Sequence, residues 1–456
     1  MAGIHAATAL LPTGWASSVG VEIGPDGRIG SVSIGANASA DALRVPVLLP
    51  AMPNLHSHSF QRAMAGLSES RGPKADDSFW TWRDVMYRFL DVLSPDDIEA
   101  IAAFAFMEMQ ENGFGSVAEF HYLHHGPNGV PYADRAELSS RIAAAAEAAG
   151  IGLTLLPVHY AQGGVDGRPL AGGQLRFGND LDGFIRLAKA CEATLDALPD
   201  DAGFGLAPHS LRAVPFADMS AIAALGADRP IHLHIAEQER EIEETLAILG
   251  ARPVEWLLAN AEVGPNWCAI HATHMTPEET AALAASGAVA GLCPLTEGSL
   301  GDGIFPMPGF RASGGSFGIG TDSNILISVP GELRQLEYSQ RLRDRRRVVV
   351  ASRAASNGRM LYEEALAGGA RALGRACGRI ETGCWADLVA INPERMDFHG
   401  LVGDRILDAW LLAARDGMVT DLWSAGRHAV RDGQHVGRER IGARYERSLR
   451  GILERF

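Results

Sequence analysis

"VPVLLPAMPNLHSH", residues 45–58, decides the fold: an apolar run that stops on two histidines, two positions apart. In a strand alternate side chains share a face, so His56 and His58 point the same way, as two ligands of one metal would. Seven further runs have the same make. They are "GSVAEFHY" (115–122), "IGLTLLPVHY" (151–160), "GFGLAPHS" (203–210), "PIHLHIAE" (230–237), "CAIHATH" (268–274), "AVAGLCP" (288–294) and "SFGIGTDSN" (316–324). Each is short and apolar or β-branched, and each ends abruptly in polar residues. Alanine-rich helical stretches lie between them. "SPDDIEAIAAFAFMEMQENG" (94–113) opens on Ser94 as N-cap with Pro95 at the first helical position, and "DRAELSSRIAAAAEAAG" (134–150) runs to Gly150. Eight strands alternating with helices predict an α/β fold, a parallel (βα)8 TIM-type barrel over residues 51–374.

The flanks break the alternation. Residues 1–50 carry turn-rich short strands such as "VEIGPDGRIGSVSIG" (21–35), and residues 375–456 repeat the pattern in "GRIETGCWADLVAINPE" and "VTDLWSAGRHAVRDGQHV". Each flank is too short to bury a core alone, so both chain ends are assigned to one composite domain, a small β-sandwich. The tail "RERIGARYERSLRGILERF" reads as an amphipathic helix closing that domain.

With 47% hydrophobic and 21% charged residues the composition is that of a soluble globular protein. No apolar run reaches the roughly 18 residues that span a bilayer, and "MAGIHAATALLPTGW" lacks the basic flank of a signal peptide, so the expectation is a cytoplasmic protein without a membrane partner. Five scattered cysteines without a Cys-x-x-Cys pair read as reduced packing residues. A net charge of -15 argues against a nucleic-acid partner, and "RLRDRRR" (341–347) reads as a solvated helix face.

In such a barrel the C-terminal ends of the strands converge on one rim. Strand 1 brings His56 and His58, strand 5 His232, His234 and Glu237, strand 6 His271 and His274, and strand 8 Asp322. Imidazoles with a carboxylate are a nitrogen and oxygen set suited to Zn²⁺ or another divalent transition metal. By spacing alone His232 and His234 share a face, and either could be the strand-5 ligand.

Taken in order, "LHSH", "HIAE", "IHATH" and "GTDSN" resemble the amidohydrolase superfamily, and the resemblance spans essentially the whole chain. It implies His56, His58, His234 and Asp322 as ligands of the metal, the strand-5 ligand being the histidine three before Glu237. Members with two metals bridge them by a carboxylated lysine at the end of strand 4. Here that strand ends "APHS", and of the two lysines in the chain, Lys74 and Lys189, the latter falls in the helix before it. One divalent ion per chain, Zn²⁺ in the first instance, is therefore expected, as in the deaminases of the superfamily. In that chemistry a metal lowers the pKa of its water toward about 7. Asp322 and Glu237 then handle protons, with Glu237 delivering one to the leaving nitrogen, and His271 stabilises developing charge.

Narrower motifs resemble the formimidoylglutamate deiminases of histidine degradation: "HSHSFQRAMAGLSE", "FWTWRDVMYRF", "EFHYLHH", "APHSLRAV" and "GLCPLTEGSLGDGIFP". The reaction implied is N-formimino-L-glutamate plus water giving N-formyl-L-glutamate and ammonia. Its dicarboxylate substrate needs local positive charge, for which Arg83 and Arg212 are the candidates, since guanidinium binds carboxylate bidentately. Gln61 and Tyr122 are expected to add hydrogen bonds, and His209 to meet either the formimino end or a carboxylate. Arg83 could instead be salt-bridged to Asp84 within a packed helix, and Tyr122 alternates with His121 along the strand. The alternative enzyme is another one-metal deaminase acting on a heterocyclic amine of guanine, cytosine or S-adenosylhomocysteine type, which would need base-stacking walls. A metal-free scaffold is disfavoured by the presence of all four ligands. Barrels of this family often pair, so a homodimer is expected.

Overall fold

The computed structural model describes residues 2–70, 77–393, 398–414 and 417–456; Lys74 lies outside them. The chain opens with β1 (Ala2–Leu11), β2 (Gly14–Ile23), β3 (Ile29–Ile34) and β4 (Leu43–Pro50). Then come the barrel strands β5 (Met52–Ser57), β6 (Phe114–His121), β7 (Gly152–His159), β8 (Gly203–Phe204), β9 (Ala207–Pro208), β10 (Ile231–Ile235), β11 (Trp267–His271), β12 (Val289–Leu292) and β13 (Ser316–Ile319). β5 to β8 pair in parallel in chain order, with β9 also on β7, and β10 to β13 do the same. Every residue of β5, β6, β7, β10, β11 and β12 is buried. Helices cover the outside of a parallel sheet and side chains fill its inside, so its strands are near-continuous apolar runs.

Two seams close the two arcs into a ring. On one side Leu206 and Ser210 bridge in parallel to Ile231 and His234. On the other, Ser57 bridges to Asp322, with His58 N–H donating to the Asp322 carbonyl at 2.9 Å and Thr321 N–H to the His56 carbonyl at 3.0 Å. Strand 4 is split into β8 and β9 at Gly205. A Cβ there would stand 2.6 Å from the Pro230 carbonyl oxygen and from Leu156, so the backbone passes where only glycine fits.

Helix α1 (Phe79–Asp91) lies in the connection after β5, followed by α2 (Pro95–Glu111). Ser94 caps α2 as its sequence implies: its hydroxyl accepts from Asp97 N–H at 3.2 Å, and the Asp97 carboxylate accepts from Ser94 N–H at 3.0 Å. Gly150 ends the helix Glu137–Ala149 in the left-handed conformation at φ 69°. No described helix is long and apolar enough to cross a membrane, and all five cysteines are free and buried.

β14 (Leu388–Ile391), β15 (Val419–Ser424), β16 (Arg427–Arg431) and β17 (Gln434–His435) return to the opening strands. As expected from the sequence, both chain ends build one separate β unit, whose eight strands are hydrogen-bonded in a continuous order. β4 runs parallel to β1 and antiparallel to β14, so it joins the two ends of the chain directly. The sheet has its own core, including Ile4, Val19, Val21, Leu48 and Leu388. It is tied to the barrel by buried Arg375, whose Nε donates to Asp387 at 2.7 Å and whose Nη2 donates to Asp201 at 3.0 Å. The final helix, Arg438–Arg455, packs on α2, where Tyr445 stacks on Phe104 with ring centroids 4.0 Å apart.

Candidate active site

The rim at the C-terminal strand ends brings together the eleven residues expected as ligands, acid–base groups or substrate contacts. Ten of them line one cleft, and His56 lies directly behind His234. His56 and His234 approach Nε2 to Nε2 at 3.1 Å, and Asp322 Oδ1 lies 3.6 Å from His56 Nε2 and 3.4 Å from His58 Nε2. Bonds of about 2.0–2.1 Å to a tetrahedral Zn²⁺ place neighbouring donor atoms about 3.3 Å apart. The spacing of these four side chains fits such an ion.

The tautomers fit as well. His58 Nδ1–H donates to the Phe120 carbonyl at 3.0 Å and His234 Nδ1–H to the His209 carbonyl at 3.1 Å, which leaves each Nε2 lone pair facing the cluster. His56 Nδ1 has no hydrogen-bond partner. Burial pushes the His58 imidazole down to about 3 and holds His56 and His234 well below their ordinary value, so all three are neutral, the form that binds a metal. His232, the other strand-5 histidine, turns away and bonds the Ala372 carbonyl at 2.8 Å. His274 bonds the Asp302 carbonyl at 2.7 Å. Lys189 is exposed on the helix Leu181–Thr194.

Asn54 and Asn324, both fully buried, clamp the seam that carries His56, His58 and Asp322. Asn54 Nδ2 donates to Thr321 Oγ1 at 2.7 Å, and Asn324 Nδ2 donates to the carbonyls of His58 and Asp322 at 3.2 and 3.0 Å. Asp322 and His271 themselves sit at φ 45° and 68°, a conformation disfavoured for non-glycine residues and typical of functional positions over-determined by their surroundings.

His271 and Glu237 stand beside the cluster. His271 Nε2 is 3.7 Å from Glu237 Oε1 and 3.8 Å from Asp322 Oδ2, while its Nδ1 is 3.3 Å from Glu297 Oε1. Burial alone would lower the imidazole, but the surrounding carboxylates Glu237, Glu297 and Asp322 outweigh it and raise it to about 10. Burial raises Asp322 to about 7 despite the opposing pull of His271. The site therefore holds a proton donor and proton acceptors within reach of one another, the pattern of acid–base chemistry.

The opposite wall is cationic and aromatic. Arg83, on α1, and Arg212, after β9, both line the cleft, and the buried Nε of each has no hydrogen-bond partner among the described residues. Among the described residues Arg83 makes no ion pair with Asp84. Its guanidinium lies 4.5 Å from the ring centre of Trp80, with Arg212 5.8 Å from the same ring. Arg212 Nη2 reaches Glu237 Oε2 at 3.7 Å. Tyr122 lines the cleft and receives a hydrogen bond from Gln61 Nε2 at 2.8 Å; its neighbour His121 packs against His124 instead. His209 bonds the Ser210 hydroxyl through Nδ1 at 2.9 Å. The glycine-rich loop 161–180 folds back over this wall. Its Arg176 is buried and donates to the His125 carbonyl at 2.9 Å, and Phe177 enters the cleft.

Three neighbours of the site have no role assigned to them from the sequence. Glu297 contacts His271. Glu241 accepts the backbone N–H groups of Ala236 and Glu237 at 3.0 and 3.3 Å, fixing the turn that aims Glu237. Trp80 lies against the two arginines. Trp80 and Glu297 fall inside "FWTWRDVMYRF" and "GLCPLTEGSLGDGIFP" without a stated role, and Glu241, within the acidic helix "EREIEETL", looks like one more solvated acid.

A barrel rim that gathers imidazole lone pairs and a carboxylate is the arrangement of the amidohydrolase family, and the chain belongs to that family, whose profile matches residues 47–429. Residues 1–44 match the N-terminal domain of the formimidoylglutamate deiminase HutF. Over all 456 residues, and 100% of both chains, the sequence is 48% identical to the formimidoylglutamate deiminase of Pseudomonas aeruginosa. It is 28% identical to the 8-oxoguanine deaminase of the same organism, over 81% of this chain and 79% of that one. Among solved structures, an amidohydrolase from Brucella melitensis superposes with a TM-score of 0.95 at 47% identity, covering 99% of this chain and 100% of that one. A zinc-bound adenosine deaminase from Xanthomonas campestris shares the fold, with a TM-score of 0.82 at 21% identity over 99% and 98% of the two chains.

Proposed function

We propose that the chain hydrolyses N-formimino-L-glutamate to N-formyl-L-glutamate and ammonia, the deimination step of histidine degradation, with one divalent metal ion, Zn²⁺, held by His56, His58, His234 and Asp322. The observation that carries this reading is the pairing, across one cleft, of a four-donor cluster with two arginines whose Nε groups lack partners. The substrate has that polarity: a formimino group at one end and two carboxylates toward the other. Full-length similarity to the Pseudomonas enzyme supports it.

Such an ion would supply a water acidified toward a pKa of about 7 and Lewis acidity toward a lone pair on the reacting group. Arg83 and Arg212 bind the carboxylates and so fix the formimino carbon against the cluster. Asp322 accepts the proton released as water adds to that carbon. Glu237, held by Glu241 and facing both Arg212 and His271, relays that proton to the formimino nitrogen; as the added hydroxyl gives up its second proton to the same nitrogen by way of Asp322, the C–N bond breaks, ammonia leaves and the new C=O forms. His271 Nε2–H donates to the charge that develops during addition. Gln61 and Tyr122 form a hydrogen-bonded pair beside the carboxylate wall, where His209 adds a third polar contact.

This reading carries a cytoplasmic location, with which five buried free thiols agree, and a homodimer, which sedimentation of the purified chain tests. The function is tested by ammonia release from a panel of N-formimino-L-glutamate, guanine, cytosine and S-adenosylhomocysteine on protein of measured metal content. Turnover of the linear amidine is expected; turnover of a heterocycle with none of the amidine would overturn it.

A further inference from the structure

His271 closes β11 in a left-handed conformation that carries its ring out toward the cleft. Its two nitrogens face different company. Nε2 is buried without a hydrogen-bond partner and looks toward Glu237 and Asp322, at 3.7 and 3.8 Å. Nδ1 is 3.3 Å from Glu297 Oε1, and the same oxygen receives the backbone N–H of Cys293 at 2.8 Å. Glu297 is buried in the short helix Pro294–Leu300 that leads out of β12, where the backbone N–H of Cys293 at the helix start holds its carboxylate.

A carboxylate can only accept. Oε1 already takes one N–H from Cys293, so the hydrogen bond to His271 requires the proton on Nδ1. With Nδ1–H occupied, the ring can gain or lose a proton only at Nε2, the nitrogen that faces the site. We infer that Glu297 is a positioning residue for the hydrolysis: it pins the ring of His271 and confines proton exchange to Nε2. A ring without this partner could carry its proton on Nε2 and present a bare Nδ1 to the wall, or rotate, and Nε2 would then be aligned only part of the time.

The inference rests on the deiminase reading for its kinetic test alone. Glu297→Gln replaces the acceptor with an amide of the same shape whose NH₂ can donate to Nδ1 and so permits the opposite tautomer. In metal-loaded Glu297→Gln, kcat for N-formimino-L-glutamate is expected to fall roughly 10- to 100-fold, the usual loss when a partner orienting a functional histidine is removed, with KM and bound metal little changed. Long-range ¹H–¹⁵N correlation spectra of ¹⁵N-histidine-labelled protein, with the His271 signals identified by their loss in His271→Asn, read the tautomer directly. At a pH alkaline enough to leave one proton on the ring, wild type is expected to carry it on Nδ1 and Glu297→Gln on Nε2. Undiminished kcat in Glu297→Gln, or a bare Nδ1 in the wild type, would overturn the inference. The wild-type spectrum decides it even if the variant does not fold. Failure of the functional reading shows up separately, as absence of wild-type turnover on the amidine while the spectrum still reports the tautomer.

Discussion

Arg212→Ala tests the cationic wall most directly. Arg212 is almost wholly enclosed, with its side chain 11% exposed, and its nearest carboxylate is Glu237 at 3.7 Å. A substrate carboxylate seated there would be left facing a lone methyl group with no water to take the place of the guanidinium. Truncating one partner of a buried, hydrogen-bonded charge pair costs about 2–5 kcal/mol; the enclosure of Arg212 puts it at about 3–4, a roughly 100- to 1,000-fold loss of kcat/KM at about 1.4 kcal/mol per decade. Because Arg212 also faces Glu237, part of the loss could come through kcat, and truncated substrates separate the two effects. N-formiminoglycine lacks the side-chain carboxylate, and N-formimino-4-aminobutyrate lacks the α-carboxylate. In coupled ammonia-release assays of all three compounds with both proteins, the substrate missing the group that Arg212 binds is expected to be nearly indifferent to the substitution, a coupling of more than about 2 kcal/mol in the cycle. Equal losses on all three compounds would mean that Arg212 acts on Glu237 rather than on a carboxylate. No loss on any would move carboxylate binding to Arg83.

Glu237→Gln is expected to retain bound metal, because the ligands are other residues, and to lose turnover roughly 10²- to 10⁴-fold, the usual range for a general acid or base; unchanged kcat would remove Glu237 from proton transfer. Gly320→Ala puts a Cβ 2.7 Å from the His56 carbonyl oxygen and 2.8 Å from its Cβ, so the strand-1 ligands must shift, and zinc per chain measured by atomic emission is expected to fall well below that of the wild type; full occupancy would show that the seam can yield. Acid sensitivity is expected from the buried neutral histidines away from the cluster. Burial lowers His121 to about 3 and His232 to about 4, while the unfolded chain titrates near 6.5, so unfolding takes up protons between about pH 4 and 6.5. Stability present above about pH 6.5 is then lost as the pH falls through that window, by up to about 1.4 kcal/mol per pH unit for each histidine. The urea midpoint of His232→Gln should fall less steeply with acid than that of the wild type, and parallel slopes would refute the assignment.

The eight strand ends are legible because parallel strands covered on both faces must be apolar throughout and can turn polar only at the rim, which is how His56, His234, His271 and Asp322 announce themselves. Ser94, Pro95 and Gly150 mark helix ends for reasons local to a few residues. Strand 4 reads as one run, but Gly205 divides it, because the constraint comes from Pro230 and Leu156, far away in sequence. The strand order in the chain-end unit is hidden for the same reason: β4 pairs with β1 on one edge and β14 on the other, and pairing partners leave no mark on a strand's own pattern. Arg83 is placed by a helix whose sequence also suits a plain packed lid. Glu241 and Glu297 gain their roles only once the fold puts a backbone N–H or an imidazole beside them.

The seam between the first and last barrel strands has a consequence for how the protein is made. The clamp from Asn324 to the His58 carbonyl joins positions 266 residues apart, and the four donors divide between β5, β10 and the end of β13. A nascent chain emerging from the ribosome thus carries its first two imidazoles through most of synthesis with no partner for them, and a complete nest exists only after Asp322 has been translated and the ring has shut. Such distant contacts form late and slowly. Ion uptake then becomes a report on ring closure, and refolding in the presence of a weak, buffered source of zinc should acquire the ion in the final kinetic phase.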